Sequence, residues 1–281
     1  MKQILSIILV ILYVCVANIA IYAAEPAAEG ASASGVNADA PNTKPRKLKI
    51  MSYNIFQGRK ASMQRLADEI NAQQPDFVAL QEVDINTMRE YAKECNGINF
   101  INELAQRTGM FGYFGRTIDC CSGYYGVAIL SKHPATSVES IDLPNPKNVE
   151  PRIMLKGHFL LDGHTPIVFA STHFDYEHPE TIALQAQTVV DNLEGESVPA
   201  IVAGDLNSEP KTKPISILSD KGALLSGLAP TWPSDAPRMR IDYIFGFPGK
   251  AFTLNKTYEG TASKYAASDH LPVMSEVTVD L

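Results

Sequence analysis

The sequence predicts an α/β fold. Short apolar runs of strand length alternate with stretches of helical periodicity, and several of those runs stop at an acidic or amide side chain. Hydrophobic residues make up 45% of the 281-residue chain, enough for a sizeable core. The formal charge is −7, from 24 Lys and Arg against 31 Asp and Glu, which argues against a surface built to hold polyanions.

Lys2 precedes an apolar stretch running from Ile4 to Ala24 that ends in small residues, the pattern of an export signal. Residues 1–24 are therefore read as a cleaved signal peptide, its rival being an uncleaved anchor of roughly 20 residues. Val14 ahead of Cys15 argues against lipid attachment. Residues 25–45 are rich in Ala, Ser, Gly, Asn and Pro and cannot bury enough surface to offset ordering, so they are read as a flexible linker to a domain spanning 46–281. A periplasmic or extracellular protein is expected, touching a membrane only through an uncleaved N-terminus. In an oxidising compartment one disulfide is expected, between Cys95 and either Cys120 or Cys121, with one thiol left over. No Cys and His stand at zinc-site intervals.

From Arg46 the elements follow in order. Leu48 to Ile55 reads as a strand, Met63, Leu66, Ala67 and Ile70 recur at helical spacing up to the break at Pro75, and Asp76 to Glu82 is an interior strand. A helix is predicted over Ile98–Thr108. Strands over Phe111–Ile118 and Tyr124–Ser131 are joined by Asp119–Gly123, and a hairpin pairs Arg152–Leu161 with Thr165–His173 across Asp162-Gly163-His164. The long helix Pro179–Leu193 presents Ile182, Leu184, Ala186, Val189, Val190 and Leu193 on a broad apolar face and leads into the strand Val198–Ala203. A short helix near Pro214–Leu218 and strands over Arg240–Phe245, Phe252–Tyr258 and through Val277 complete the chain.

Strand ends carry Asn54, Glu82, His173, Asp205 with Asn207, and Asp269 with His270, while Asp242 interrupts a core-like run and needs a partner. In Gly204-Asp205-Leu206-Asn207, Asp205 and Asn207 share one face and Leu206 returns to the core. Carboxylates suit a hard cation, amides orient water or phosphate oxygens, and imidazoles handle protons and charge. Those are the residue types of metal-assisted phosphoester chemistry. His133, His158, His164 and His178 match no such pattern and read as surface or loop residues.

The stretches Ser52-Tyr53-Asn54-Ile55, Leu80-Gln81-Glu82, Thr172-His173, Gly204-Asp205-Leu206-Asn207, Arg240-Ile241-Asp242-Tyr243-Ile244 and Ser268-Asp269-His270-Leu271-Pro272 together resemble the endonuclease/exonuclease/phosphatase superfamily. The resemblance implies a single domain folded as a four-layer α-β-β-α sandwich, two mixed sheets face to face with helices outside. It also implies Glu82 as the principal Mg²⁺ ligand, with Mn²⁺ as the alternative, and Asn54 and Asp269 close to the metal. Asp205 would activate the attacking water and Asn207 would orient it. Asp242 would support a charged His270, and His173 would bond the phosphoryl oxygens.

Arg152 and Asp175 are further candidates for substrate contact, Arg152 by charge and Asp175 because it shares a face with His173. The expected substrate is a small or lipid-derived phosphoester, and a monomer is expected. A nuclease is the alternative, disfavoured by the acidic charge, and a silent binding module is the third reading.

Overall fold

The computed structural model describes residues 44–280; the expected signal or anchor and most of the expected linker lie outside the described residues. The first unit is β1 (Arg46–Asn54), α1 (Met63–Gln73) and β2 (Phe77–Ile85). Ser62 caps α1 by accepting the Arg65 N–H, and Gln74 ends it in a left-handed conformation before Pro75. Next come α2 (Phe100–Thr108), β3 (Phe111–Cys120), β4 (Gly123–Ser131), β5 (Ala135–Asp142), β6 (Ile153–Leu161) and β7 (Thr165–His173). The second half continues with α3 (Pro179–Glu194), β8 (Ala200–Asp205), α4 (Lys213–Lys221), β9 (Ala223–Leu224), β10 (Asp242–Phe247), β11 (Phe252–Glu259) and β12 (Val273–Val279).

The strands form two six-stranded sheets, in the orders β11-β12-β1-β2-β4-β3 and β5-β6-β7-β8-β10-β9. Each sheet is mixed, because β1 with β2 and β7 with β8 are parallel, each joined by a helical crossover, while the other pairs are antiparallel. The two inner faces share one apolar layer containing Ile50, Phe77, Ile129, Phe159, Phe169, Ile201 and Ile244. Outside the first sheet, Leu66, Ile70 and Leu104 of α1 and α2 pack on Met51, Val78 and Leu130. Outside the second, Ile182, Val189 and Leu218 of α3 and α4 pack on Val168, Val202 and Phe245. This is the four-layer sandwich that the motif pattern implied.

Local departures from the sequence reading have physical causes. β5 escaped prediction because it is an edge strand with almost no buried side chain, so it carries no apolar period. The β3–β4 connection is shorter than expected, a two-residue turn at Cys121 and Ser122, both with positive φ. Asp242 opens β10 rather than lying inside a strand. Leu184 is the member of the expected apolar face of α3 that is left exposed. The expected Cys95 disulfide is not formed: Cys95 is buried with its Sγ directed to the Gly58 carbonyl at 3.5 Å, and the described cysteines are all free thiols. No helix among the described residues is long and apolar enough to cross a membrane.

Phe77 links the layers, with its ring 4.9 Å from Phe169 and 5.0 Å from Phe159. Phe77→Ala is expected to cost about 3–5 kcal/mol, the usual range for emptying a buried aromatic site, read as a lower urea midpoint.

Candidate active site

The two parallel units end side by side. β1 and β2 deliver Asn54 and Glu82, while β7 and β8 deliver His173 and Asp205, whose Cα atoms are register partners. Gly204 permits this approach, since a Cβ there would lie 2.2 Å from the Thr172 carbonyl oxygen. β10 sets Asp242 opposite Asp205, and the segment before β12 supplies Asp269 and His270.

Glu82 lies within β2, not at its end. The pairing of β2 with β4 slips between Leu80 and Val83, and Glu82 has φ of 56°. A bulge adds one residue to a strand and re-aims side chains, here releasing Glu82 from the strand's alternation. A left-handed conformation at a non-glycine residue costs on the order of 1–3 kcal/mol and persists where the surroundings over-determine it. Asn54 Nδ2 donates to Glu82 Oε1 at 3.1 Å and Gln57 Nε2 donates to Glu82 Oε2 at 2.5 Å.

Asp205 is the point on which the other groups converge. Asn54 Nδ2 donates to its Oδ2 at 3.1 Å, and His173 Nε2 and His270 Nε2 each lie 3.6 Å from that same oxygen. Its Oδ1 accepts the Asn207 N–H at 3.0 Å. Burial pushes the Asp205 pKa up to about 7, Asp242 adding to the shift and His270 opposing it. His270 Nδ1–H donates to Asp242 Oδ2 at 3.0 Å, and the Thr231 hydroxyl donates to the same carboxylate. Burial disfavours the charged imidazole, but Asp242 and Asp205 outweigh it and raise His270 to about 10. His173 goes the other way: burial, with Arg152 and His270 nearby, holds it well below the usual range. One imidazole is therefore charged and the other neutral at pH 7.

A cavity of about 470 Å³ opens over these groups, lined by Glu82, Asp205, Asn207, Asp269, His173 and His270 together with Arg152, Tyr125, Tyr176, Trp232, Met239 and Ile241. Arg152 is 5% exposed; its Nη1 lies 3.0 Å from Glu150 Oε1 and its Nε has no partner among the described residues. Asp175 does not line the cavity. Its carboxylate accepts the N–H groups of Tyr176 and Glu177 and bonds His178 Nδ1 at 2.9 Å, so it shapes the turn into α3. Asn207 commits its Nδ2 to the Phe174 carbonyl at 3.0 Å, leaving Oδ1 as its free function.

The oxygen donors fit a hard divalent cation. Glu82 and Asp269 line the same cavity, and burial together with Asp269 raises the Glu82 pKa despite the bonds from Asn54 and Gln57, a strain that a cation relieves. In this arrangement the amide nitrogen of Asn54, not its oxygen, faces the two carboxylates. Its Oδ1 accepts the Phe56 N–H at 3.1 Å, while its Nδ2 bridges Glu82 and Asp205. Ligand atoms of Asp205, Asp242 and His270 also lie within 4.8 Å of one another and could hold a metal. That use would require His270 to give up a ring proton and with it its positive charge, since only a deprotonated ring nitrogen ligates.

The sequence matches the endonuclease/exonuclease/phosphatase family over residues 51–270. The chain belongs to this family. Its members are metal-dependent phosphoesterases and nucleases, which makes the protein a hydrolase of ester bonds. Similar solved structures include a family member from Beutenbergia cavernae, at 22% identity and TM-score 0.68, covering 83% of this chain and 72% of that one. A mannosyl-6-phosphatase from Bacteroides thetaiotaomicron is 19% identical with TM-score 0.62 over 82% of this chain and 99% of its own. The human Nocturnin catalytic domain with bound sulfate is 18% identical with TM-score 0.65 over 86% and 100%. No curated protein matches the sequence.

Gln57, Thr231 and Trp232 belong to the site but were not found by sequence reading. Gln57 and Thr231 sit in irregular segments without a period, and Trp232 offered only its being the single Trp, in a Pro-rich loop; its Nε1–H donates to Asp269 Oδ2 at 3.3 Å.

The His270 pKa in the fold lies above its ordinary value of 6.5, so its stabilising contribution is full below about pH 6.5 and is lost as pH rises toward 10. In chelator-treated protein the thermal midpoint is expected to fall across that window, and Asp242→Asn is expected to flatten the fall. An unchanged slope in the variant would show that His270 draws its charge from elsewhere.

Proposed function

We infer that the protein is an exported, Mg²⁺-dependent phosphoesterase that hydrolyses a phosphodiester or phosphomonoester of a small or lipid-derived alcohol by in-line attack of a water activated by Asp205. The observation that carries this reading is the meeting of Asn54, His173 and His270 around one oxygen of a buried carboxylate. A carboxylate with a pKa near 7 is matched to accepting a proton at neutral pH. Asn207 Oδ1 is available to orient the same water from the other side of the turn.

Charge develops on the phosphoryl oxygens as water attacks, and donors already in place stabilise it most. His270, kept charged by Asp242, supplies a cationic N–H, and neutral His173 supplies a directional hydrogen bond. Arg152, buried with an unpartnered Nε, is placed to take a further phosphate oxygen. When bound by Glu82 and Asp269, a divalent cation would offset the charge of the non-bridging oxygens, Mg²⁺ being favoured and Mn²⁺ the alternative.

The cavity is of small-molecule size, within the ~300–1,000 Å³ typical of such sites. Tyr125, Tyr176, Trp232, Met239 and Ile241 give it an apolar side for the alcohol. A neighbouring groove over Arg59, Lys60 and Lys93 also contains Glu90 and Glu94, so its mixed charge makes no track for a polyanion. The mannosyl-6-phosphatase relative supports a small phosphoester, and the N-terminal pattern, outside the described residues, supports export.

A metal-supplemented screen of phosphomonoesters, diesters, phospholipids and nucleic acids tests this. Turnover of a small or lipid phosphoester is expected, lost on chelation and restored by Mg²⁺; plasmid nicking without it would select a nuclease instead. On the best substrate, kcat/KM is expected to rise with pH through about 7 as Asp205 ionises. Asp205→Asn and His270→Ala are expected to lower kcat by about 10²–10⁴ while the fold is retained, the scale of positioned acid–base groups. Near-wild-type activity in either folded variant would remove it from the mechanism.

A further inference from the structure

We propose that Cys120 and Cys121 form a reversible dithiol–disulfide modification site whose state is relayed to Glu82. The β3–β4 turn runs through Cys121 and Ser122, with φ of 50° and 67°. Gly, Asn and Asp dominate such two-residue turns, because both central residues are left-handed; Cys is not chosen for its conformational ease. The turn brings the two Sγ atoms to 2.9 Å, with Cys121 exposed and Cys120 half-buried. Cys95 does not compete, being buried against the Gly58 and Ala61 carbonyls.

The tip is tied to the active site by a continuous chain of contacts. The Met88 N–H donates to the Cys121 carbonyl at 2.7 Å, and Arg89 Nη1 lies 3.8 Å from Cys121 Sγ. Arg89 is held by Asp84, Nη2 donating to Oδ1 at 2.9 Å and Nε donating to Oδ2 at 2.5 Å, so the guanidinium is a fixed pivot. Its Nη1 donates to Tyr91 Oη at 2.7 Å, Tyr91 Oη–H donates to Gln57 Oε1 at 2.7 Å, and Gln57 Nε2 donates to Glu82. A change at the cysteine turn therefore reaches the carboxylate assigned to the cation. The relay rests on that assignment; the modification itself does not.

The oxidant is a soluble disulfide, reacting by exchange. Burial, and the hydrogen bond with Cys121, push the Cys120 thiol up to about 11, so exposed Cys121 reacts first. Its thiolate attacks one sulfur of the disulfide and displaces a thiolate, giving a mixed disulfide. The Cys120 thiolate then attacks the Cys121 sulfur, forming the Cys120–Cys121 bond and displacing the second thiolate. Both cysteine protons end on the released thiols, and one disulfide is reduced for the one formed. Consecutive Cα atoms lie about 3.8 Å apart, short of the ~4.4–6.8 Å of relaxed disulfides, so the ring is strained and readily reduced.

The probe is oxidised glutathione, with intact-mass measurement and thiol counting on the full chain. The monomer is expected to lose two hydrogens and regain them with dithiothreitol, whereas Cys120→Ser keeps a glutathione adduct on Cys121. Peptide mapping assigns each change to its cysteine, and a lasting adduct or an intermolecular disulfide on Cys120 or Cys121 of the wild type in place of that loss overturns the site. For the relay, the Kd for Mn²⁺ by calorimetry is expected to differ by about threefold or more between the two states, within the usual range for coupled networks. Tyr91→Phe is expected to abolish that difference while still losing two hydrogens. Equal Mn²⁺ affinities in the two wild-type states overturn the relay, and absence of phosphoesterase activity in the screen refutes the proposed function without touching either result.

Discussion

A carboxylate enclosed by protein must be either neutral or answered by positive charge and hydrogen bonds. Asp205 is 2% exposed, and the architecture of the active end follows from how that demand is met. No single partner neutralises it. Asn54 and the Asn207 N–H hold its two oxygens in place, while His270 brings charge from 3.6 Å without closing a direct hydrogen bond. The partial answer matters: a tight ion pair would depress the pKa, whereas here burial wins and leaves it near neutrality, as the proposed role of base requires.

Meeting that demand requires groups from both sheets, and the parallel pairs β1–β2 and β7–β8 face each other across the sandwich. Asn54 belongs to the first sheet and Asp205 to the second, and their bond closes the sandwich at its active end. Beneath it a polar seam replaces the apolar layer. The Ser171 hydroxyl donates to the Leu80 carbonyl at 3.2 Å and Gln81 Nε2 donates to Ser171 Oγ at 3.4 Å, both across the sheets. Buried polar groups that are mutually satisfied rigidify a core and specify one arrangement of it. The groups that the strands carry are therefore referenced to one rigid frame, to which the segments after β8 and before β12 add Asn207, Asp269 and His270.

The fold and the clustering of the candidate groups were legible in sequence for a common reason. A buried strand announces itself by apolar content, and a polar residue at its end stands out against that background, as Asp205 does after Val198–Ala203. Where the signal failed, the background was missing. Exposed β5 has no buried face to set a period, and Gln57 and Thr231 act from irregular backbone. Asp175 shows the opposite error. Parity with His173 holds only while the strand continues, and β7 stops at His173, so Asp175 turns to cap the approach to α3 instead. Asn54 was rightly placed, but its role depends on which amide atom faces the acids, which composition cannot express.

Glu82, the proposed cation ligand, is held differently from Asp205, the proposed base. Asp205 ends a regular strand and needs no backbone distortion, whereas Glu82 occupies a left-handed position in a bulge of β2. On a regular strand Gln81 and Glu82 would point to opposite faces, one inward and one to the helices. The bulge lets Gln81 bridge the sheets while Glu82 still reaches the cavity. The strain is held by what surrounds it: Asn54 and Gln57 grip both carboxylate oxygens, and Gln57 is itself gripped by Tyr91. A ligand set fixed by such a lattice is preorganised for a cation, and for the same reason it is sensitive to its outermost member, Arg89, which touches the cysteine turn.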